Sequence, residues 1–444
     1  MKEEHNKILA SGENLARGSV PRTLMTASLM ASSIDSCQSG PVQGDIPPEQ
    51  RRSSRWQRRD MQDMLRSGTR TDSPTRETVK IEQGTCYAFF AYDIALAINL
   101  DDAEQALSAV TQRGGIKRQH PAPAYFEYHP APVRVMQEIS PLLLGEDHSS
   151  ARVDILLYDF GAASVRYSIP LGGSLTDLCT LSEKLYDNEW LLADSRQRME
   201  RLLTAIPTAL TRPKVADLVE DYVVFHLESL VTPCSGDSLR TAYAPIIARM
   251  LRAEQQDLST QEVQDAVSRC LSFSPTDMTI VDWHAALVVD HEGADVCAVL
   301  EFANIELLEM RFLDQLLDDA LARSYETVSM QLRKSLWIPG SYRASLYEIA
   351  QFHIDSALLF EGVNNALKLV GDQYLARVYR VASERFHLTE WDSSILRKLQ
   401  TLESLYEKIN DQAASHRMEI LEWIIILLIA ISIVLPFFPG VSGH

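Results

Sequence analysis

The stretch Met418–Phe438, reading MEILEWIIILLIAISIVLPFF, constrains this chain more than any other. From Ile420 to Phe438 run nineteen residues whose one ionisable member is Glu422. At about 1.5 Å rise per residue such a helix reaches roughly 28 Å, close to the hydrocarbon thickness of a bilayer. Trp423 near one end and Phe437–Phe438 at the other suit the interfacial zones, where bulky aromatic rings collect. The expected architecture is a large polar body carried on its own last helix, with residues 439–444 as a short tail. The anchor residues expected to face lipid are Leu421, Glu422, Trp423, Ile424, Ile425, Ile426, Leu428, Ile429, Phe437 and Phe438. No cation stands one turn before or after Glu422, so it reads as a headgroup-level carboxylate or as a contact to a partner helix.

Charge divides the remainder. The net charge is −18, yet residues 51–80 carry nine Lys/Arg against four Asp/Glu, so the acidic excess belongs to the chain from Ile81 onward. An acidic body repels polyphosphates, which argues against broad nucleic-acid binding by the folded part. Residues 1–80 are rich in Ser, Thr, Arg, Gln and Pro with no apolar period, the composition of disorder. Within them Arg51, Arg52, Arg55, Arg58 and Arg59 surround Trp56, a pattern that suits RNA or anionic lipid, or simply a solvated linker. The N-terminus has no signal-peptide h-region, and Lys408 and Arg417 flank the apolar stretch on the body side. The expectation is a single-pass protein with a C-terminal anchor and its body on the cytoplasmic or matrix-like side.

Residues 81–292 alternate strand and helix signals without a regular βαβ repeat, which predicts an α+β domain. TCYAFFAYD, RVDILLYDFGAASVRYSI, DYVVFHLESLV and MTIVDWHAALVVD read as strands, with Gly161 supplying a turn. DDAEQALSAVTQ reads as a helix capped by Asp101 or Asp102, and Ser259, Thr260 and Glu262 open another. From Gly293 the β signal ends, and residues 293–417 read as a helical, coiled-coil stalk. Leu300, Ala303, Leu307, Met310, Leu317 and Leu321 follow a seven-residue repeat with Asp314 as its polar member. Leu359 to Val381 suggests a second helix, and Ile395, Leu399, Leu402, Tyr406, Ile409 and Ala413 form a heptad seam. The last helix is expected to run from near Trp391 into the apolar stretch, packed against residues 356–386 as an antiparallel hairpin.

The C-terminal portion resembles the Rmd1-like family, named for a requirement in meiotic nuclear division. The matching residues are Leu421, Glu422, Trp423, Ile424, Ile425, Ile426, Leu428 and Ile429, with a looser match from Asp372–Tyr374 to Leu405–Tyr406. The resemblance implies a membrane-tethered protein without enzymatic activity, and for organellar relatives a role in supporting translation at a membrane. A DTPEFFW-like phrase that the family carries ahead of the hairpin is replaced here by VGDQYLARVY.

Chemistry outside the anchor is sparse. His284 and His291, with Asp282, Asp290 and Glu292, would make a metal site only if a turn brought them together, and satisfied polar groups at a strand end are the simpler reading. Cys86 lies in an apolar run with nothing to activate it. The acidic series Glu301, Glu306, Glu309, Asp314, Asp318 and Asp319 reads as the solvated face of a helix, with divalent-cation binding as the alternative. No catalytic residue, cofactor or metal is expected. The functional expectation is a membrane-anchored, non-enzymatic scaffold that recruits a protein partner or a second copy. The alternative is a tail-anchored hydrolase or metal-dependent enzyme with its site in 81–292.

Overall fold

Strand β1 (Lys80–Asp93) is apolar on both faces, because each face enters a different core. Cys86, Ala88, Phe90 and Tyr92 point one way, and Phe89 and Ala91 point the other. A strand of that kind must lie inside a sheet covered on both sides. In the computed structural model β1 is the middle of a nine-stranded sheet. The other strands are β2 (Ile116–Lys117), β3 (Val133–Glu138), β4 (Arg152–Leu157), β5 (Ala162–Ser174), β6 (Val219–Leu230), β7 (Cys270–Leu271), β8 (Met278–Val281) and β9 (Ala285–Val289). Their order is β7-β8-β9-β6-β1-β5-β4-β3-β2. All neighbours are antiparallel except β6 and β9, where Val223 stands opposite Ala285 in a parallel pair. The described residues are 79–111, 116–117, 126–127, 132–145, 147–333, 368–369 and 373–434, with single positions between 351 and 360. The arginines around Trp56, together with Phe437 and Phe438, lie outside them.

The expected α+β class is correct, and several local signals lie where the sequence puts them. Gly161 turns β4 into β5 at φ 103°, and a Cβ there would collide with the Ala95 carbonyl. Ser259 Oγ accepts the amide of Glu262 and opens a helix at Thr260–Ala266. The helix Leu100–Thr111 differs in its cap. Asn99, not Asp101 or Asp102, accepts the first amides, and both aspartates sit in the first turn.

One face of the sheet is covered by α1 (Leu100–Thr111), α2 (Asp177–Leu185), α3 (Glu189–Ala205) and α4 (Gly236–Leu251). Leu181, Leu191, Met199, Leu202, Ile247 and Leu251 fill that core against Phe90, Tyr167 and Phe225. The short α5 (Thr260–Ala266) lies beside α4. The other face is covered by α6 (Ala294–Arg333), whose Val296, Leu300, Ala303 and Ile305 pack on Phe89, Tyr222, Val224 and Val288.

Two helices follow, α7 (Gln373–Arg385) and α8 (Leu388–Val434). The expected continuous helix over 356–386 is corrected. Lys368–Leu369 pairs as a strand with Phe126–Glu127, and the helix begins only at Gln373. Val370 and Gly371 between them are poor helix formers. Of the expected seam of α8, Ile395, Leu399 and Leu402 are buried and Tyr406 is half-buried, while the side chains of Ile409 and Ala413 lie outside the described residues. Its principal partner, however, is α6. Ser394 and Lys398 both reach Asp314, and Lys398 Nζ also lies 2.6 Å from Asp318. Contacts that advance together along both helices mean that α6 and α8 run parallel, offset by 80–84 residues.

The acidic series on α6 also departs from expectation. Glu301, Glu306 and Glu309 are buried, so the solvated reading fails for them, whereas Asp318 and Asp319 are exposed as expected and Asp314, half-buried, pairs with Lys398. The first half of the helix is enclosed by the sheet below and α7 and α8 outside, whereas Gln315, Asp318, Asp319, Ala322 and Arg323 further along are exposed. Among the described residues no helix is long and apolar enough to cross a membrane. The apolar part of α8 that is described, Ile420–Val434, spans fifteen residues, about 22 Å of helix.

Candidate functional site

The strand ends nearest the start of α6 frame a cleft of about 920 Å³. Glu82 comes from β1, Glu228 and Leu230 from β6, Phe273 and Asp277 from the turn before β8, and Asp290–Glu292 from the end of β9. Asp295 and Val296 come from α6, and Tyr374 from α7. Six carboxylates and His291 line it, and among the described residues no Lys or Arg does.

Local chemistry holds these groups in place. Asp277 accepts the amide of Phe273 at 2.8 Å and that of Ser274, and the Tyr374 hydroxyl donates to it at 3.4 Å. Burial pushes its carboxyl up, but hydrogen bonds from Ser274 and the two amides outweigh that and hold it below the usual carboxylate range. It therefore stays ionised near neutral pH. Burial moves the Tyr374 phenol the other way, to about 12. Asp290 turns its side chain onto the Glu292 amide at 3.0 Å, and its carbonyl accepts from His226 Nε2 at 2.8 Å. Gly293 makes this close approach feasible, because a Cβ there would stand 2.6 Å from that nitrogen.

Phe273 is 79% exposed at the rim and meets Tyr374 edge-on, with centroids 5.7 Å apart. Carboxylates beside aromatic faces suit a ligand bearing ammonium or guanidinium groups. The same field disfavours phosphates. Burial raises the Cys234 thiol, so it is not an activated nucleophile. The hydrolase alternative calls for carboxylates or histidine converging within 81–292, and Glu82, Glu228, Asp277, Asp290 and His291 do converge here.

The other residues singled out from sequence are dispersed. His291, Asp290 and Glu292 line the cleft, but His284 lies beyond the opposite end of β9, edge-on to Tyr186 at 5.1 Å. Asp282, fully buried, binds Arg252 Nε at 3.0 Å and Arg385 Nε at 2.8 Å, clamping α7 to the body. Arg385 also bonds Asp265 at 2.9 Å and lies over the Trp283 ring at 5.2 Å. Among the described residues no group of three or more His, Cys, Asp or Glu is placed to hold a metal ion. Cys86 is a buried free thiol, raised well above its ordinary range by burial. Leu421, Glu422, Trp423, Ile424, Ile425, Ile426, Leu428 and Ile429 lie on α8 and are all exposed. Asp277, Phe273 and Tyr374 are cleft residues that sequence reasoning missed as a site. The turn SFSPTD is a local capping signal, but nothing in it announces the distant Tyr374.

Residues 83–295, from β1 to the first turn of α6, match the family described as Uncharacterized protein MJ0711, N-terminal domain. The chain is similar to the Uncharacterized protein MJ0711 of Methanocaldococcus jannaschii, at 21% identity over 238 residues, 53% of this chain and 71% of that protein. No solved structure matches. The family match covers the α+β body, whereas the Rmd1-like resemblance rests on residues of α7 and α8 beyond it. Residues 83–295 of this protein are thus similar to that archaeal domain, while Glu82 and Tyr374 of the cleft lie outside the match.

Proposed function

We propose that this protein is a membrane-tethered docking module: α8 inserts its apolar end into a bilayer, and the α+β body presents the acidic cleft to a cationic partner. The observation that carries this reading is where α8 loses its cover. Leu402 is the last buried residue of α8 among the described side chains, and Glu403, Ser404, Glu407, Lys408, Asn410 and Asp411 are exposed. The apolar run follows, and Leu421, Trp423, Ile425, Leu428 and Ile433 are each more than half exposed. Apolar side chains on every side of a helix are stabilised by lipid or by other helices, not by water. The Rmd1-like resemblance supports the same tether, and with it a role near translation at a membrane, body on the cytoplasmic or matrix-like side. Glu422 would then sit at headgroup level or bond a second helix, of a partner or another copy. The arginines at 51–59 would add affinity for anionic lipid or RNA.

Flotation of the full chain with vesicles of mixed zwitterionic and anionic lipid tests the tether. The wild type is expected to float, and Ile425→Asp with Leu428→Asp to stay at the bottom. A wild type that remains in the aqueous fraction would sink the reading. For the cleft, binding of an oligoarginine peptide should weaken at least about tenfold in Asp277→Asn with Glu228→Gln, and should weaken in salt. Equal binding by wild type and variant would remove the cleft from the proposal.

A further inference from the structure

Two carboxyls of α6, one turn apart, are buried on its enclosed sides, and like charges stand against both. Glu306 accepts the Tyr379 hydroxyl of α7 at 2.7 Å and feels Asp392 of α8. One oxygen of Asp392 is itself buried without a hydrogen-bond partner. Glu309 is 1% exposed, and neither of its oxygens has a hydrogen-bond partner among the described residues. It faces Asp93 at the end of β1, which is 6% exposed and has Lys214 as its cation nearby. The neighbouring Glu220 is spoken for by Arg311.

A buried carboxylate without a donor costs several kcal/mol, so the group keeps its proton instead. Neutral, neither acid repels the carboxylate it faces. We propose that Glu306 and Glu309 form a proton-operated latch: protonated, they let α6 seat on β1 and on α7 and α8, and ionised, they repel Asp93 and Asp392 and loosen those two helices. Burial pushes Glu306 up to about 7, with Asp392 adding to the rise and the Tyr379 bond opposing it. Burial, and then Asp93, raises Glu309 well above the usual range, and burial takes Asp93 to about 7 against the pull of Lys214. The Glu309–Asp93 pair therefore loses its protons as a unit. The sign follows: folded-state values above the unfolded ones mean the seated arrangement is complete at acid pH and lost as pH rises through neutrality. A latch at this place couples local proton activity to the root of α8, the element that leads to the apolar run.

Amide hydrogen exchange of the full chain in detergent, corrected for intrinsic rates, tests this between about pH 6 and about pH 8.5. Protection of α7 and of residues 388–402 should fall roughly tenfold or more with rising pH, since each pH unit across a titrating group is worth up to a factor of ten. In Glu306→Gln with Glu309→Gln the fall should vanish. Flat protection in the wild type, or the same fall in the double variant, would overturn the latch. Should the variant not fold, infrared difference spectra of the wild type decide. A protonated carboxyl C=O band at neutral pH that disappears above it is expected, and its absence at neutral pH also overturns the proposal.

Discussion

The two faces of the central sheet are built on different principles. Beneath α2, α3 and α4, burial is mostly aliphatic and aromatic and polar contacts are few: the Tyr92 and Ser195 hydroxyls meet at 2.6 Å, and Tyr167 donates to Asp194, which Arg198 pairs. Beneath α6, apolar packing is interleaved with charge: Arg166 with Glu301, Glu220 with Arg311, Asp282 with Arg385, and the carboxyls Glu306 and Glu309. A dry apolar face is stabilised by area and is indifferent to pH. A face holding buried acids is stabilised only while protons and partners are in place. The first face anchors the body. The second joins the body to the helices that leave it.

This contrast is sharpest if the first face is broken. Phe225, fully buried there, should cost about 4 kcal/mol when changed to Ala, equally at acid and neutral pH, in urea unfolding. A pH-dependent cost would erase the distinction. On the second face, Asp282→Ala strands Arg385 and Arg252 and should cost about 3 kcal/mol, with α7 losing amide protection before the sheet does. Uniform loss across the molecule would show that α7 is not separately clamped. The smallest effect has the opposite sign. Glu306 contributes fully below its ordinary value of 4.5 and loses that contribution as pH rises to about 7. Glu306→Gln should therefore gain about 2 kcal/mol on the wild type at pH 8, a gain that disappears near pH 4. A difference that does not change with pH would place Glu306 among ordinary packing residues.

Much of the body was legible residue by residue. The run CYAFFAYD has no polar alternation, and it lies in the middle strand of a sheet with a core on each side. Gly161 and Ser259 mark a turn and a cap because those conformations depend on the few residues around them. The seam Ile395, Leu399, Leu402 is visible as a period, but a period says only that something covers the stripe. That the cover is α6, running parallel, depends on Lys398 meeting Asp314 and Asp318 some 80 residues away in sequence. The cleft was hidden for the same reason, since Glu82, Glu228, Asp277, His291 and Tyr374 belong to five separate segments. Glu301, Glu306 and Glu309 read as solvated because acids on helices usually are.

The sequence by itself determined what near neighbours decide: the strands and helices of the body, its α+β class, its acidic charge, and an apolar run of nineteen residues containing one carboxylate. Only the tertiary structure decided which acids face water and which face one another. Desolvation is a property of everything packed around a group, and no local pattern on α6 distinguishes Glu309, shut in against Asp93, from Asp319, exposed on the same helix. It also decided which stretch of α8 is covered, because Ile395, Leu399 and Leu402 are buried where Lys398 meets Asp314 and Asp318 of α6.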